Sequence, residues 1–153
     1  MIISLVITLL LIVADQLTKV LVVNNLKPVG SQEIIGGFLE FRYSENSGAA
    51  FGIFQNNPLI FALITLVLIS AIIVFYVKYK KHNTLSRISC VMAVAGGIGN
   101  LIDRLRLGYV IDFIHFYFFD YIFNFADCLV TVGVALLFVY IIFFMDRKEK
   151  TEK

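Results

Sequence analysis

From Leu59 to Val77 the chain runs for 19 residues with only Thr65 and Ser70 interrupting the hydrocarbon, and Pro58 stands at its start, where a helix tolerates proline. A run of this length crosses the apolar layer of a bilayer as one helix, which needs roughly 20 residues. Three further stretches read the same way. One covers about residues 2–23, apolar until Asp15 and Lys19. Another covers about 85–103, rich in small residues (Ala93, Ala95, Gly96, Gly97, Gly99) that suit close helix approach in lipid. The last covers about 126–145. With 59% apolar residues in a chain of 153, a soluble fold could not hide the hydrocarbon. The expected fold is a single all-α integral membrane domain over 1–153 with four transmembrane helices.

The segments between the runs predict the rest of the architecture. Residues of about 27–56 hold short alternating pieces (Glu33 to Ile35, Phe38 to Tyr43) broken by Gly30, Gly36 and Gly37, which predicts a small twisted antiparallel sheet. An open sheet edge cannot sit in bare lipid, so this sheet is expected on the interface, with Phe38, Phe41, Phe51 and Phe54 dipping in. Residues of about 104–125 are crowded with aromatics but too often interrupted for a fifth span; they predict an interfacial half-helix or loop. The tail after Met145 reads as a solvated charged end.

Eight of the thirteen basic residues follow spans two and four: Lys78, Lys80, Lys81, Arg87, Arg147, Lys148, Lys150 and Lys153. Positive-inside bias then places both termini in the cytoplasm and the two intervening segments outside. Eight of the eleven acidic residues fall on that outer side, counting helix ends. The N-terminus lacks a basic n-region and a small-residue cleavage site, so it reads as a retained helix. A net charge of +2 without a basic run interleaved with aromatics excludes a nucleic-acid partner. Cys90 and Cys128 lie inside apolar runs, which argues against a disulfide framework; no metal spacing exists, and no metal or cofactor is expected.

Asn100 to Cys128 carries Asp103, Asp112, Asp120 and Asp127 in membrane-grade sequence. An ionisable group at membrane depth is costly and by default marks a function. Asp103 precedes Arg104 at the end of the third span, and the arginine is expected to hold it as a structural, charge-paired helix end. Asp112 and Asp127 sit in apolar company without such a neighbour. If brought together they would share a proton and could act as an aspartic-protease pair, one activating water and the other protonating the leaving nitrogen. On spacing alone, two unrelated interfacial acids fit equally well. Asp15 and Lys19, at i and i+4, read either as a neutralised interfacial pair or as support for a site. Asn46 to Phe51 reads either as a returning loop or, through Gly48, Ala49 and Ala50, as a strip along which another chain can lie. A Cys128–His115 thiol site is disfavoured because nothing places the two together. Gly97 and Gly99 lack the third glycine and the βαβ context of a dinucleotide site.

Five segments in order resemble one family. Asp15-Gln16-Leu17-Thr18-Lys19, Asn46-Ser47-Gly48-Ala49-Ala50-Phe51, Gly99 to Arg104, Gly108 to Phe113, and Phe123 to Asp127 are similar to the motifs of the bacterial lipoprotein signal peptidases, signal peptidase II. The resemblance covers nearly the whole chain. It implies an aspartyl endopeptidase of the bacterial cell membrane that removes signal peptides from prolipoproteins, cutting before a diacylglyceryl-modified cysteine. It implies catalytic residues at Asp112 and Asp127, with support from Asp15, Lys19, Asn46, Gly48, Asn100, Asp103, Arg104, Asn124 and Ala126. The expected partners are the prolipoprotein and membrane lipids, the expected state a monomer, and the site is expected near the outer face. A small proton-coupled transporter is the competing class; clustering of the acids at one face speaks against it.

Overall fold

A computed structural model describes residues 1–48, 58–79 and 81–145. Ala49, Ala50, Phe51, Phe54, Lys80 and the basic tail therefore lie outside the described residues. Four helices are long and apolar enough to cross a membrane. Helix α1 covers Ile2–Leu21 and continues through a wider π-type turn at Val22–Leu26. Helix α2 covers Pro58–Lys78, α3 Thr84–Leu107, and α4 Phe125–Tyr140 with a π-type extension, Ile141–Met145.

Helix α3 is the hub. In its apolar window 56% of the residues are buried, against 11% to 17% in the other three helices, whose side chains face outward as lipid-facing side chains do. Its glycines explain the packing, because each meets a different neighbour. A Cβ on Gly96 would strike the carbonyl oxygen of Ala126 in α4, one on Gly97 would come within 2.8 Å of Ile69 in α2, and one on Gly99 within 2.5 Å of Asp15 Oδ2 in α1. Without hydrophobic drive between helices in lipid, such close backbone approach is what holds them together. Asn83 caps the start of α3, accepting from Ser86 N–H at 2.9 Å. Gly108, at φ +80°, ends the helix as a left-handed cap, its N–H donating to the Arg104 carbonyl at 3.1 Å.

The sheet forms as expected and is larger. Strands β1 (Ser31–Ile35) and β2 (Leu39–Asn46) pair antiparallel. Strands β3 (Val110–Phe116) and β4 (Ile122–Phe123) extend the sheet in the order β1-β2-β3-β4. Within the aromatic segment read as half-helix or loop, 110–116 and 122–123 are therefore strand, joined by a loop at 117–121. The physical reason is the β-branched and aromatic run Val110-Ile111-Asp112-Phe113-Ile114, which suits a pleated surface and satisfies the open edge of β2. Register sets Ser44 against Asp112 and Glu40 against His115, with a bulge between Phe41 and Ser44. That register carries Asp112 from the sheet towards the Asp103 end of α3 and the start of α4.

Candidate active site

Helices α1, α3 and α4 and strands β2 and β3 contribute to one buried polar cluster where the sheet meets the helices. Its base is Lys19, 2% exposed. The ammonium has three N–H bonds and places all three: Asp15 Oδ2 lies at 3.0 Å, Asp103 Oδ2 at 2.8 Å and Asn100 Oδ1 at 3.1 Å. A buried charge needs such pairing to be tolerated. Asp15 also accepts the Ala126 backbone N–H at 3.0 Å, which ties α1 to the first turn of α4 and accounts for the fully buried Ala126. Asp103 accepts the Ile111 N–H at 3.2 Å, fixing the start of β3.

The expected Arg104–Asp103 pair is not formed: Lys19 holds Asp103 instead. Neighbouring residues on a helix point about 100° apart and do not face each other, so Arg104 was badly placed for the role. Its guanidinium lies 5.9 Å from the centre of the Phe61 ring, and its charge acts on Asp127, Asp112 and Asp103.

Above this base lie Asp112 and Asp127, joined through amides. Asn124 is the N-cap of α4 and forms a full capping box with Asp127: Oδ1 accepts the Asp127 N–H at 2.8 Å, and its own N–H donates to Asp127 Oδ2 at 3.2 Å. Its Nδ2 donates to Asp112 Oδ1 at 2.6 Å and to Asn100 Oδ1 at 3.1 Å. Asn100 Nδ2 donates to Asp127 Oδ1 at 2.7 Å. From the end of β2, Asn46 Nδ2 donates to Asp112 Oδ2 at 2.8 Å, while its Oδ1 accepts the Gly48 N–H at 2.9 Å. Gly48, at φ +100°, faces Phe61 so closely that a Cβ there would collide with the ring.

Asp112 is 1% exposed. Burial first, and then the charge of Asp127, push its carboxyl up to about 7, against the amide hydrogen bonds from Asn46 and Asn124. A carboxylic acid poised near neutrality beside a second carboxyl has the properties of an acid–base pair.

The remaining acid of the stretch, Asp120, is exposed in the 117–121 loop. His115 is taken up by Glu40, 2.8 Å from its Oε1, and Cys128 is a free thiol exposed on α4; the two are not brought together. One contributor was not singled out from the sequence. Gln16 Nε2 donates to Asp15 Oδ2 at 3.1 Å, to the Gly99 carbonyl at 3.2 Å and to Asp103 Oδ1 at 3.1 Å. The available signal was an amide side chain between Asp15 and Lys19 on a largely apolar helix.

The family model described as "Signal peptidase (SPase) II" matches residues 7–143. The chain belongs to the signal peptidase II family. The lipoprotein signal peptidase of Clostridioides difficile (strain 630) is 41% identical over 142 residues, covering 92% of this chain and 95% of its own. That of Caldanaerobacter subterraneus subsp. tengcongensis is 43% identical over 140 residues, covering 92% and 96%. Two solved structures, each described as a bacterial membrane enzyme obtained by the in meso method, share the fold. The one at 2.3 Å resolution superposes with a TM-score of 0.80 at 34% identity, covering 98% of this chain and 92% of its own. The one at 1.9 Å resolution gives 0.83 at 32%, covering 93% and 94%. The family resemblance carried by the five motifs thus extends over almost the full chain, and the four-helix fold with its small sheet is that of solved membrane enzymes.

Proposed function

We propose that this protein is a lipoprotein signal peptidase: an aspartic endopeptidase that cuts a prolipoprotein before its diacylglyceryl-modified cysteine, with Asp112 and Asp127 as the catalytic pair. The observation that carries the choice of residues is the bridge of Asn124 and Asn100 between the two carboxyls, beside an acid poised near neutral pH. One carboxylate takes a proton from water as its oxygen attacks the scissile carbonyl carbon. The other, protonated, gives its proton to the carbonyl oxygen, forming a tetrahedral diol. The C–N bond then breaks, the amine nitrogen takes up a proton from the pair, and a new carboxyl and a free cysteine amine result. Asn46, Asn100 and Asn124 orient the carboxyls; Asp15, Lys19 and Asp103 brace α1, α3 and β3 beneath them; Arg104 supplies positive charge beside the pair.

A groove of about 440 Å³ between α2, α3 and α4 supports the substrate assignment. Asn100, Arg104 and Asp127 stand at its polar end, and Ala93, Gly97 and Val134 line its apolar length. The apolar helix of a signal peptide can lie there with its end at the carboxyls, while the substrate's acyl chains and the surrounding lipids stay in the bilayer. The basic residues following α2 and α4 support an orientation with both termini in the cytoplasm and the pair near the outer face of the cell membrane. One chain supplies every group of the site, so a monomer suffices.

The test is cleavage of a lipid-modified prolipoprotein by the purified protein, with Asp112→Asn, Asp127→Asn and Asp103→Asn at matched folded yield. Loss of turnover in the first two, with partial activity or poor folding in the third, supports the pair. Full activity in a folded Asp112→Asn removes it.

A further inference from the structure

Each of the three asparagines at the carboxyls has its amide oxygen taken by a donor that cannot reverse. For Asn46 and Asn124 that donor is a backbone N–H, of Gly48 and of Asp127. For Asn100 it is the ammonium of Lys19, at 3.1 Å, a group with no acceptor at all. Turning the Asn100 amide over would set its NH₂ against Lys19 and against Asn124 Nδ2. It would also set its oxygen against Asp127 Oδ1, which now accepts from Nδ2 at 2.7 Å. Neutralising Asp15 and Asp103 would occupy only two of the three ammonium N–H bonds; the third is spent on Asn100.

We propose that Lys19 is a positioning residue of the hydrolytic reaction: it fixes the polarity of the Asn100 amide and thereby keeps Asp127 the carboxylate that receives the proton from water. The inference rests on the Asp112–Asp127 pair proposed above. Asp127 meets only N–H donors at these contacts, Asn100 Nδ2 on Oδ1 and the Asn124 backbone on Oδ2, so neither neighbour can accept a proton from it. Asp112 also accepts on both oxygens, but from two amides that contact no cation. The hydrogen-bonded path from the buried ammonium reaches Asp127 through the Asn100 amide alone, whereas the branch to Asp112 needs the Asn124 amide as well. With negative charge favoured there, the proton of the resting pair sits on Asp112, in the space facing Asp127. The charged or titratable groups around this path are Asp15 and Lys19 on α1, Asp103 and Arg104 on α3, Asp112 on β3, and Cys128 on α4.

The experiment is a double-mutant cycle on the full chain, reading kcat and its pH profile for prolipoprotein cleavage in Lys19→Met, Asn100→Ala and the double variant. Lys19 does not line the substrate groove, so Lys19→Met is expected to lower kcat on the order of 100-fold, the size of a small misplacement of a reacting group, and to leave KM nearly unchanged. Its acidic limb should move to higher pH. The double variant should lose little beyond Asn100→Ala, because the lysine acts through the asparagine. Multiplying losses in the double variant, or a kcat per folded molecule and a pH profile that do not move, would overturn the proposal. If Lys19→Met folds poorly, Lys19→Met/Asp103→Asn removes the ammonium together with one carboxylate it neutralises, and its kcat and pH profile are read against those of Asp103→Asn alone. Failure of both to fold makes Lys19 a folding element and also counts against it. A parent protein that does not cleave refutes the peptidase reading itself; a parent that cleaves while the cycle is additive refutes only the role of Lys19.

Discussion

Asn124 touches both acidic residues of the candidate pair, Asp112 through its side-chain Nδ2 and Asp127 through its backbone N–H and its Oδ1. One residue thus starts helix α4 and sets the spacing of the carboxyls on either side of it. Folding of the helix and assembly of the site are the same event at this position.

Asn124→Ser separates the two roles. Serine still caps the helix but cannot reach Asp112 with an amide. Unfolding in detergent should show a small change for Asn124→Ser, while Asn124→Ala loses about 1 kcal/mol more for the missing cap. Both should lose cleavage activity alike, because both leave Asp112 without its 2.6 Å donor.

Replacing either carboxyl of the pair with its amide should lower kcat by about 1,000-fold, within the range general acid–base catalysis contributes. The fold should remain, and binding of an uncleavable prolipoprotein by Asp112→Asn should stay close to that of the parent. Retained cleavage in either variant would move the catalytic role elsewhere.

The pH dependence has a definite sign. Asp112 in the folded protein holds its proton up to about 7, whereas the ordinary value is 3.8. The folded state therefore binds this proton more tightly than the unfolded chain does, and its contribution to stability is full below the ordinary value. It declines as pH rises from there to about 7. Thermal unfolding across that window should show the decline in the parent and lose it in Asp112→Asn. Turnover should fall as pH rises through about 7, because the pair then lacks the proton it must deliver.

Alanine at the glycines of α3 should rank by what each Cβ meets. Gly96→Ala strikes the backbone carbonyl of Ala126, which cannot move without shifting α4, and Gly99→Ala presses on Asp15, which is fixed by Lys19 and Ala126. Each should cost about 1–3 kcal/mol and reduce activity. Gly97→Ala meets Ile69, an aliphatic side chain that can change rotamer, and should be the mildest of the three in a stability measurement.

The helices were legible because lipid demands long unbroken apolar runs, and four such runs leave little choice. The first hairpin was legible because Phe38 to Tyr43 alternates and glycines bracket it. Strand β3 was not, because its partner β2 lies some 70 residues earlier and an aromatic run alone does not announce a pairing edge. The carboxyls of the site stood out as polar groups in apolar sequence, and its asparagines came with the resemblance to the family motifs. Their partners did not: Lys19 reaches Asp103 across 84 positions, and the sequence offers Arg104 beside it as a nearer but misdirected choice. Gln16 was hidden for the same reason, since its three acceptors come from two helices.

Among the described residues helix α2 packs on α3 yet scarcely meets α4, so the groove between them opens along its side. Anything that reaches the carboxyls by that route dissolves in the bilayer first and then diffuses in two dimensions. The concentration that governs binding is then a mole fraction among lipids, not a molarity in water. Inhibitors of this site should gain potency with each added methylene, up to the length the groove can hold, even when the chemistry at the carboxyls is unchanged. Their measured strength should weaken in proportion as more lipid or detergent is added to the assay.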